Sequence, residues 1–375
     1  MTDGLSRRVE KGRFVPGLQS DRLRLRHHGS RAGTCLRLFS PPDGLDRMDP
    51  SIPENEFPRA GRIQDKLTFL VRYARIAPSS HNTQPWTFDI EPGRITLHTD
   101  AARWLRIADR DRRELHVSIG CALENLLVAA EHYGFAHRTQ YRPAKSAEDT
   151  LTVTVDLSPG GTPSSYRDGL LDAIPRRHTN HKVYDGTHPS DEDLERLRER
   201  VVEAGVRVFL TNDSDTKRTV DALIARANAI QFADPEWREE LGYWLGMGVF
   251  GTSWITSKMS QLAVTHLNLS TSTTKHDSDL LQSAPFLGVI ATVDNQPTAQ
   301  VHAGQALERI WLQATALGLD LHPMNQILQV PDVKQEVVPL LPSQNQSPQI
   351  AFRLGYATEP EETSTPRRDM SELIL

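Results

Sequence analysis

Between Ala77 and Trp86 the chain reads Ala-Pro-Ser-Ser-His-Asn-Thr-Gln-Pro-Trp. Prolines fix the backbone there, the hydroxyls and amides offer short hydrogen bonds, and Trp86 can anchor the end of the loop under a strand predicted over Thr87–Ile90. Such a stretch is suited to gripping a ligand, with a polar connector as the alternative. Two basic segments lie far from it in sequence: Pro175-Arg176-Arg177-His178-Thr179-Asn180-His181 and Pro366-Arg367-Arg368. Guanidinium forks bind phosphate through paired hydrogen bonds, and the Thr179 hydroxyl adds a short one. Taken alone, paired arginines are more often a solvated face.

The elements that must position these residues show an internal repeat. Gly120-Cys-Ala-Leu-Glu-Asn-Leu-Leu-Val-Ala-Ala-Glu-His-Tyr-Gly134 aligns without a gap on Gly304-Gln-Ala-Leu-Glu-Arg-Ile-Trp-Leu-Gln-Ala-Thr-Ala-Leu-Gly318. Apolar spacing and strong helix formers predict two helices, with Gly134 and Gly318 as their C-terminal stops. Strands are predicted before them, over Arg94–His98 and Phe286–Val293, where β-branched residues dominate. The chain therefore reads as two copies of one α+β unit joined across Ser158–Ser165, residues 51–163 forming the first half and 164–375 the second. Only the first copy carries the Pro-Ser-Ser-His-Asn loop, and only the second carries the basic run, after a helix-like stretch at Leu170–Ile174.

Length and composition exclude several classes. At 375 residues, with formal charge −5, 24% charged and 38% hydrophobic residues, the chain has the balance of an ordinary globular protein and no basic bias towards nucleic acid. No run of about 18 apolar residues marks a membrane span. Residues 1–50, rich in Arg, His, Gly and Ser, are expected to be a disordered extension without a secretory leader, and Met48 is a second candidate start. The cytoplasm is the expected compartment, and a disulfide between Cys35 and Cys121 is not expected. Gly246-Met-Gly-Val-Phe-Gly251 fits a dinucleotide-binding pattern but follows the predicted helix Trp237–Leu245, so it reads as a flexible loop. The 14 histidines show no metal-ligand spacing, and no nucleophile motif accompanies them.

The run Ala77–Trp86 resembles the flavin-contacting loop of the nitroreductase family, usually written A-P-S-x-x-N-x-Q-P-W. The resemblance extends from about Asp65 to Arg368. It is strongest to the long, internally duplicated Acg-type subgroup, which shares Ser-His-Asn-Thr-Gln-Pro-Trp, the run Asp109-Arg110 to Arg113-Glu114-Leu115, and His322-Pro323-Met324-Asn325-Gln326. Family members are FMN-binding α+β homodimers with the flavin at the subunit interface. The resemblance thus implies that Arg176, Arg177, Thr179, Arg367 and Arg368 of the second copy gather around the FMN phosphate and ribityl chain. Pro78, Ser79, Ser80, Asn82 and Gln84 of the first copy approach across the internal interface. The turn Pro323-Met324-Asn325 brings backbone N–H groups, with Met324 and Asn325 as candidates, near flavin N5. His181 stands where the family often has Lys or Arg, and a histidine supplies that charge only when protonated.

One FMN per chain is implied, because the first copy lacks the basic motif. The leading functional reading is an oxidoreductase. NAD(P)H reduces the flavin and leaves, a small nitroaromatic or quinone-like acceptor follows, and no side chain acts as a catalytic acid or base. The alternative is a flavin-binding or FMN-storage protein whose site is closed by a lid, a loop around residues 231–280. No nucleic-acid or membrane partner is expected, and the duplication allows a complete monomer as well as a homodimer.

Overall fold

The structure, a computed structural model, describes residues 45–46, 51–142, 151–250, 254–267, 269–360 and 365–375. The extension expected over 1–50 therefore lies outside the described residues, apart from Leu45–Asp46. In chain order the helices are α1 (Ile63–Arg75), α2 (Arg113–His132), α3 (Asp191–Arg198), α4 (Ser214–Ala233), α5 (Pro235–Gly246), α6 (Trp254–His266), α7 (Ser270–Ser283), α8 (Pro297–Ala316), α9 (Gln326–Gln329), α10 (Pro331–Val337) and α11 (Met370–Leu373). The strands are β1 (Leu45–Asp46), β2 (Trp86–Glu91), β3 (Arg94–Thr99), β4 (Phe135–Arg142), β5 (Thr152–Pro159), β6 (Val206–Thr211), β7 (Phe286–Thr292), β8 (Asp320–Pro323), β9 (Ser347–Gly355) and β10 (Arg367–Arg368). Among the described residues no helix is long and apolar enough to cross a membrane.

Two four-stranded antiparallel sheets share one topology: β2-β3-β5-β4 and β6-β7-β9-β8. In each, the second strand leads through a long helix to the edge strand, α2 in the first and α8 in the second. These are the helices of the sequence repeat, and the fold is α+β, with the unit present twice. Both are buried on nearly every side, as expected of helices enclosed within a core. They end at Gly134 and Gly318, whose φ of 81° and 75° supplies the left-handed residue that closes a helix. Gly120 and Gly304, equivalent in the repeat, meet where the helices cross. A Cβ on Gly120 would lie 2.1 Å from the Val301 carbonyl oxygen, and one on Gly304 2.1 Å from that of Val117.

α1 packs one apolar stripe, Leu67, Leu70, Val71 and Ala74, into the same core and stops before Pro78, whose ring disfavours helix in the preceding residue. In the C-terminal segment β10 pairs with β1 in a separate two-stranded sheet, and the chain end returns to the first sheet, where Leu375 N donates to Phe88 O at 2.9 Å.

The largest departure from the sequence reading lies between β6 and β7. The first copy has a tight hairpin at the matching place, β2 to β3, whereas here four helices, α4 to α7, are inserted. The segment read as a loop around residues 231–280 is mostly helical. Asp234 caps α5 through the Glu236 N–H and Pro235 opens it, and long structureless loops are uncommon in compact domains. Gly246 does not belong to a flexible loop either. It ends α5 in contact with α6, where a Cβ would lie 2.1 Å from Gln261 Oε1.

Candidate functional site

A cavity of about 790 Å³ opens between α2, α8, the 78–82 loop, the 174–181 segment, the 322–329 turn and the inserted helices. Its volume is in the range of small-molecule and cofactor sites. Of the residues singled out in the sequence, Pro78, Ser79, Ser80, Asn82, Arg176, Arg177, Thr179, His181, Pro323, Asn325 and Arg367 line it.

The loop holds His81, Asn82 and Gln84 at φ of 49°, 50° and 50°, a region costly for residues with a Cβ. It is held there by specific hydrogen bonds. Ser79 Oγ accepts from Gln84 N at 2.9 Å, and Gln84 Oε1 accepts from Arg368 N at 2.8 Å. Arg368 Nη1 donates to Gln84 O and Trp86 O, both at 3.0 Å. Gln84 and Arg368 are buried in this frame and do not line the cavity, which corrects their assignment as direct ligand contacts: the Gln84 amide, Arg368 N and Arg368 Nη1 are engaged in holding the loop.

Arg177 and Arg367 converge on one carbonyl. Arg177 Nη2 donates to Ile76 O at 2.9 Å and Arg367 Nη2 to the same oxygen at 3.2 Å, while Arg367 Nη1 donates to Asn82 Oδ1 at 2.5 Å. Arg177 also lies over the Trp311 ring, 4.8 Å from its centre. Arg75 stands beside them, its Nε donating to Arg368 O at 2.5 Å. Burial, then the charge of Arg177 and that of Arg75, push the Arg367 guanidinium down to about 9. A nearby acid is Glu308, fully buried and 3.4 Å from Arg177 Nε. Burial pushes its carboxyl up to about 7 against the pull of Arg177. This corner therefore carries crowded positive charge that an anion would relieve. Arg176 is exposed at its rim, its Nε donating to Asp172 O at 2.9 Å.

In the 322–326 turn, Met324 is buried in a core with α4 and α10, and its N–H donates to Ala351 O at 2.8 Å. Met324 is thereby corrected as a backbone donor to a ligand. Asn325 lines the cavity with its side chain pinned, Oδ1 accepting from Ala351 N at 3.0 Å. His322, next to these candidates but not singled out, also lines it. Its Nδ1 accepts from Arg353 Nε at 3.1 Å, which leaves the proton on Nε2. Burial, then His181 and Arg353, hold its pKa well below the usual histidine value. His322 is therefore a neutral donor, with the His181 ring edge-on at 4.5 Å.

The inserted helices close another side with Asn228, Gln231, Phe232, Trp237 and Leu241, followed by Phe250. This cover is tied to the first copy: Asn82 Nδ2 donates to Val249 O at 2.7 Å, and Glu240 accepts the N–H groups of Ile107 and Ala108 at 3.1 and 2.9 Å. Apolar and amide side chains of this kind carry no motif, and sequence reasoning missed them. Glu114, also missed, sits in the Asp109–Leu115 run and accepts from the Ser80 hydroxyl. Cys121 faces the cavity too, but burial pushes its thiol well up, which makes it a poor nucleophile.

The repeat-related position on the other side of α2 and α8 is filled. Glu124, the counterpart of Glu308, lies 2.6 Å from Arg167 Nε and 2.7 Å from Arg309 Nη1, and Gln305 Nε2 donates to it at 2.9 Å. Tyr166 lies against both arginines and Tyr141 donates to Gln305.

The sequence profile of the nitroreductase family matches residues 174–356. A Mycobacterium tuberculosis protein provisionally named an NAD(P)H nitroreductase is 28% identical over 88% of this chain and 96% of its own. A second from the same organism, with the provisional name NAD(P)H nitroreductase acg, is 26% identical over 83% of this chain and 95% of its own. Among solved structures, the FMN-dependent nitroreductase NfnB of Mycobacterium smegmatis in complex with NADPH aligns with a TM-score of 0.38 and 16% identity, over 53% of this chain and 94% of that one.

Proposed function

We propose that the chain is a nitroreductase-family protein close to the Acg-like proteins it resembles, and from that premise that it is an FMN-dependent NAD(P)H oxidoreductase holding a single flavin. The observation that carries this reading is the convergence of Arg75, Arg177 and Arg367, with Arg367 pushed down to about 9 by burial and its cationic neighbours. That corner suits a phosphate, and the cavity is roomy enough for the rest of the cofactor. Arg177, Arg367 and Thr179 would hold the phosphate, with Arg176 at the rim. Pro78, Ser80, Asn82, Pro323, Asn325, His181 and the neutral Nε2–H donor of His322 would border the remainder. When bound, FMN supplies hydride chemistry at N5, taking electrons from NAD(P)H and passing them to a nitroaromatic- or quinone-like acceptor. The protein's own part is to position, to donate hydrogen bonds and to exclude water.

A single flavin per chain follows from the plugged counterpart site, where Arg167 and Arg309 are already paired with Glu124, Glu131 and Glu203 and offer no anion grip. The two-copy organisation, with halves meeting at α2 and α8, would let a monomer carry a complete site in the cytoplasm. A second reading, a flavin-holding protein without turnover, is favoured by the ties from Asn82 to Val249 and from Glu240 to residues 107–108.

Anaerobic visible spectra with NADPH and then NADH separate the two. Bleaching of the flavin bands by either donor supports the oxidoreductase. Bands that persist with both yet bleach with dithionite support the storage protein, and a colourless protein that takes up no added FMN removes both.

Arg177→Ala is expected to weaken FMN binding about ten- to a hundredfold, since a charge-assisted hydrogen bond contributes roughly 1.5–3 kcal/mol. Unchanged retention on a desalting column would overturn the assignment. FMN affinity should also depend on Glu308. Below pH 7 its carboxyl is neutral and Arg177 is free to compensate an anion; above it, a carboxylate 3.4 Å from Arg177 competes with the phosphate. Relative to Glu308→Gln, wild-type affinity should fall roughly tenfold from pH 6 to 8, the effect of about one pKa unit of coupling. Parallel pH profiles for the two proteins would sink that linkage.

A further inference from the structure

Besides Asn82 and Asn325, four amide side chains on two helices line the cavity: Asn228 and Gln231 from α4, Gln326 and Gln329 from α9. Their orientations are fixed by carboxylates, which can only accept. Gln329 Nε2 lies 3.1 Å from both oxygens of Glu114, a buried group paired with Arg113 at 2.8 Å. The amide nitrogen must face that carboxylate, so Gln329 Oε1 is turned away and accepts from Gln231 Nε2 at 2.7 Å. Asp277 Oδ2 accepts from Asn228 Nδ2 at 2.8 Å and from Gln326 Nε2 at 3.1 Å. The nitrogen of each of the four amides thus has an acceptor within the protein. Among the described residues no donor reaches Gln231 Oε1, Asn228 Oδ1 or Gln326 Oε1. Asn228 and Gln231 are only 3% and 6% exposed, so their oxygens have the cavity, and little bulk water, to satisfy them.

This wall offers acceptors and, with Glu114 and Asp277 behind it, negative charge. Phe232, Trp237, Leu241 and Phe250 line the same cavity and supply apolar surface for a ring. We propose that the amide wall is a recognition site for a neutral aromatic group bearing N–H donors, a primary carboxamide or an arylamine, on the molecule that shares the cavity with the cofactor, and that it selects against carboxylates. The proposal rests on the reading that the arginine corner holds the flavin. It places the specificity of the second substrate in the inserted helices and the turn after β8. A ligand N–H satisfies oxygens that are otherwise unpaired, a carbonyl of the same shape leaves them so, and a carboxylate adds repulsion. The orienting chain Glu114–Gln329–Gln231 makes the selection directional, because reversing any one amide would set two donors or two acceptors against each other.

The test uses the full-length protein as purified, with its flavin content measured separately after denaturation. Benzamide, acetophenone and benzoate are the probes, their affinities measured by calorimetry. Benzamide is expected to bind roughly tenfold tighter than acetophenone, the effect of a net hydrogen bond, and benzoate weakest of the three. Gln231→Met, which keeps the volume and removes the acceptor, should bring benzamide to within about twofold of acetophenone. Gln326→Met is a second variant of the same kind should the first fail to fold. Equal affinities for the three probes, a preference for benzoate, no binding by any, or a preference that survives in a folded variant would each overturn the proposal. Protein that retains no FMN but keeps the preference would overturn the cofactor reading and leave the amide wall standing.

Discussion

Gly304→Ala is expected to lower the free energy of unfolding by about 3 kcal/mol, the upper part of the range for inserting a methyl into a packed core. Helix propensity alone predicts the reverse, since alanine is favoured over glycine by about 1 kcal/mol in a helix interior. The new Cβ would stand 2.1 Å from the Val117 carbonyl oxygen and 3.0 Å from Gly120 Cα. These are backbone atoms of a neighbouring helix, so no side-chain rotation relieves the overlap and α2 and α8 must move apart. Gly120→Ala should behave alike, its Cβ meeting Val301 O at 2.1 Å. Gly318→Ala is the control: its Cβ would meet nothing within 4 Å, and only the positive φ opposes it, for about 1 kcal/mol. Urea unfolding at neutral pH measures all three, and a Gly304→Ala protein as stable as the parent would refute this account of the crossing. Separation of the two helices also shifts Cys121, Leu307 and Trp311, which line the cavity, so cofactor retention should fall with stability.

That crossing shows why the repeat was legible. Gly120 and Gly304 are the same position of the same unit, placed where the two copies touch, and no other residue type fits. Gly134 and Gly318 were legible for a related reason, each being the left-handed stop of its helix. The loop and both arginine segments stood out because prolines and charges are informative without context. What could not be read was which atoms of such motifs stay free. Ser79, Gln84 and Arg368 belong to the motif, yet the Ser79 hydroxyl, the Gln84 side-chain oxygen and Arg368 Nη1 are used to hold the backbone of their neighbours. Met324 is turned into a core. Of the inserted helices, Trp237–Leu245 within α5 was legible; the buried face of α4 mixes Asn228 and Gln231 with Val220, Leu223, Ile224, Ala227 and Phe232, which weakens its apolar signal. The amide wall was invisible because its chemistry lies in the orientation imposed by Glu114 and Asp277, a tertiary property.

The repeat-related glutamates should respond oppositely to pH, and removing one should be the most damaging single change in the chain. Glu124 is fully buried between Arg167 and Arg309, themselves nearly inaccessible. Glu124→Leu removes the carboxylate shared by two buried guanidiniums and leaves them Glu131 and Glu203 as acidic partners, and breaking a buried pair in this way costs about 3–5 kcal/mol. Glu124→Gln, which keeps an acceptor, should cost less. Burial pushes the Glu124 carboxyl up, but Arg167 and Arg309 outweigh it and hold it at about 2; Glu131 is held at about 2 against burial by His137, Ser164 and Arg167. Both folded-state values lie below the ordinary 4.5. The unfolded chain therefore binds more protons in that interval, and the stability these groups contribute is complete above it and is lost as pH falls towards 2. Glu308 lies on the other side: burial raises it to about 7 from the same 4.5, so the folded chain holds the extra proton and stability declines as pH rises between those values. Cofactor-free protein should accordingly melt highest near the crossover, at about pH 5. Glu308→Gln should flatten the neutral limb and Glu124→Gln the acid limb, so a melting profile whose two limbs respond to the same substitution would show that the glutamates have not diverged into a phosphate-facing and a structural role.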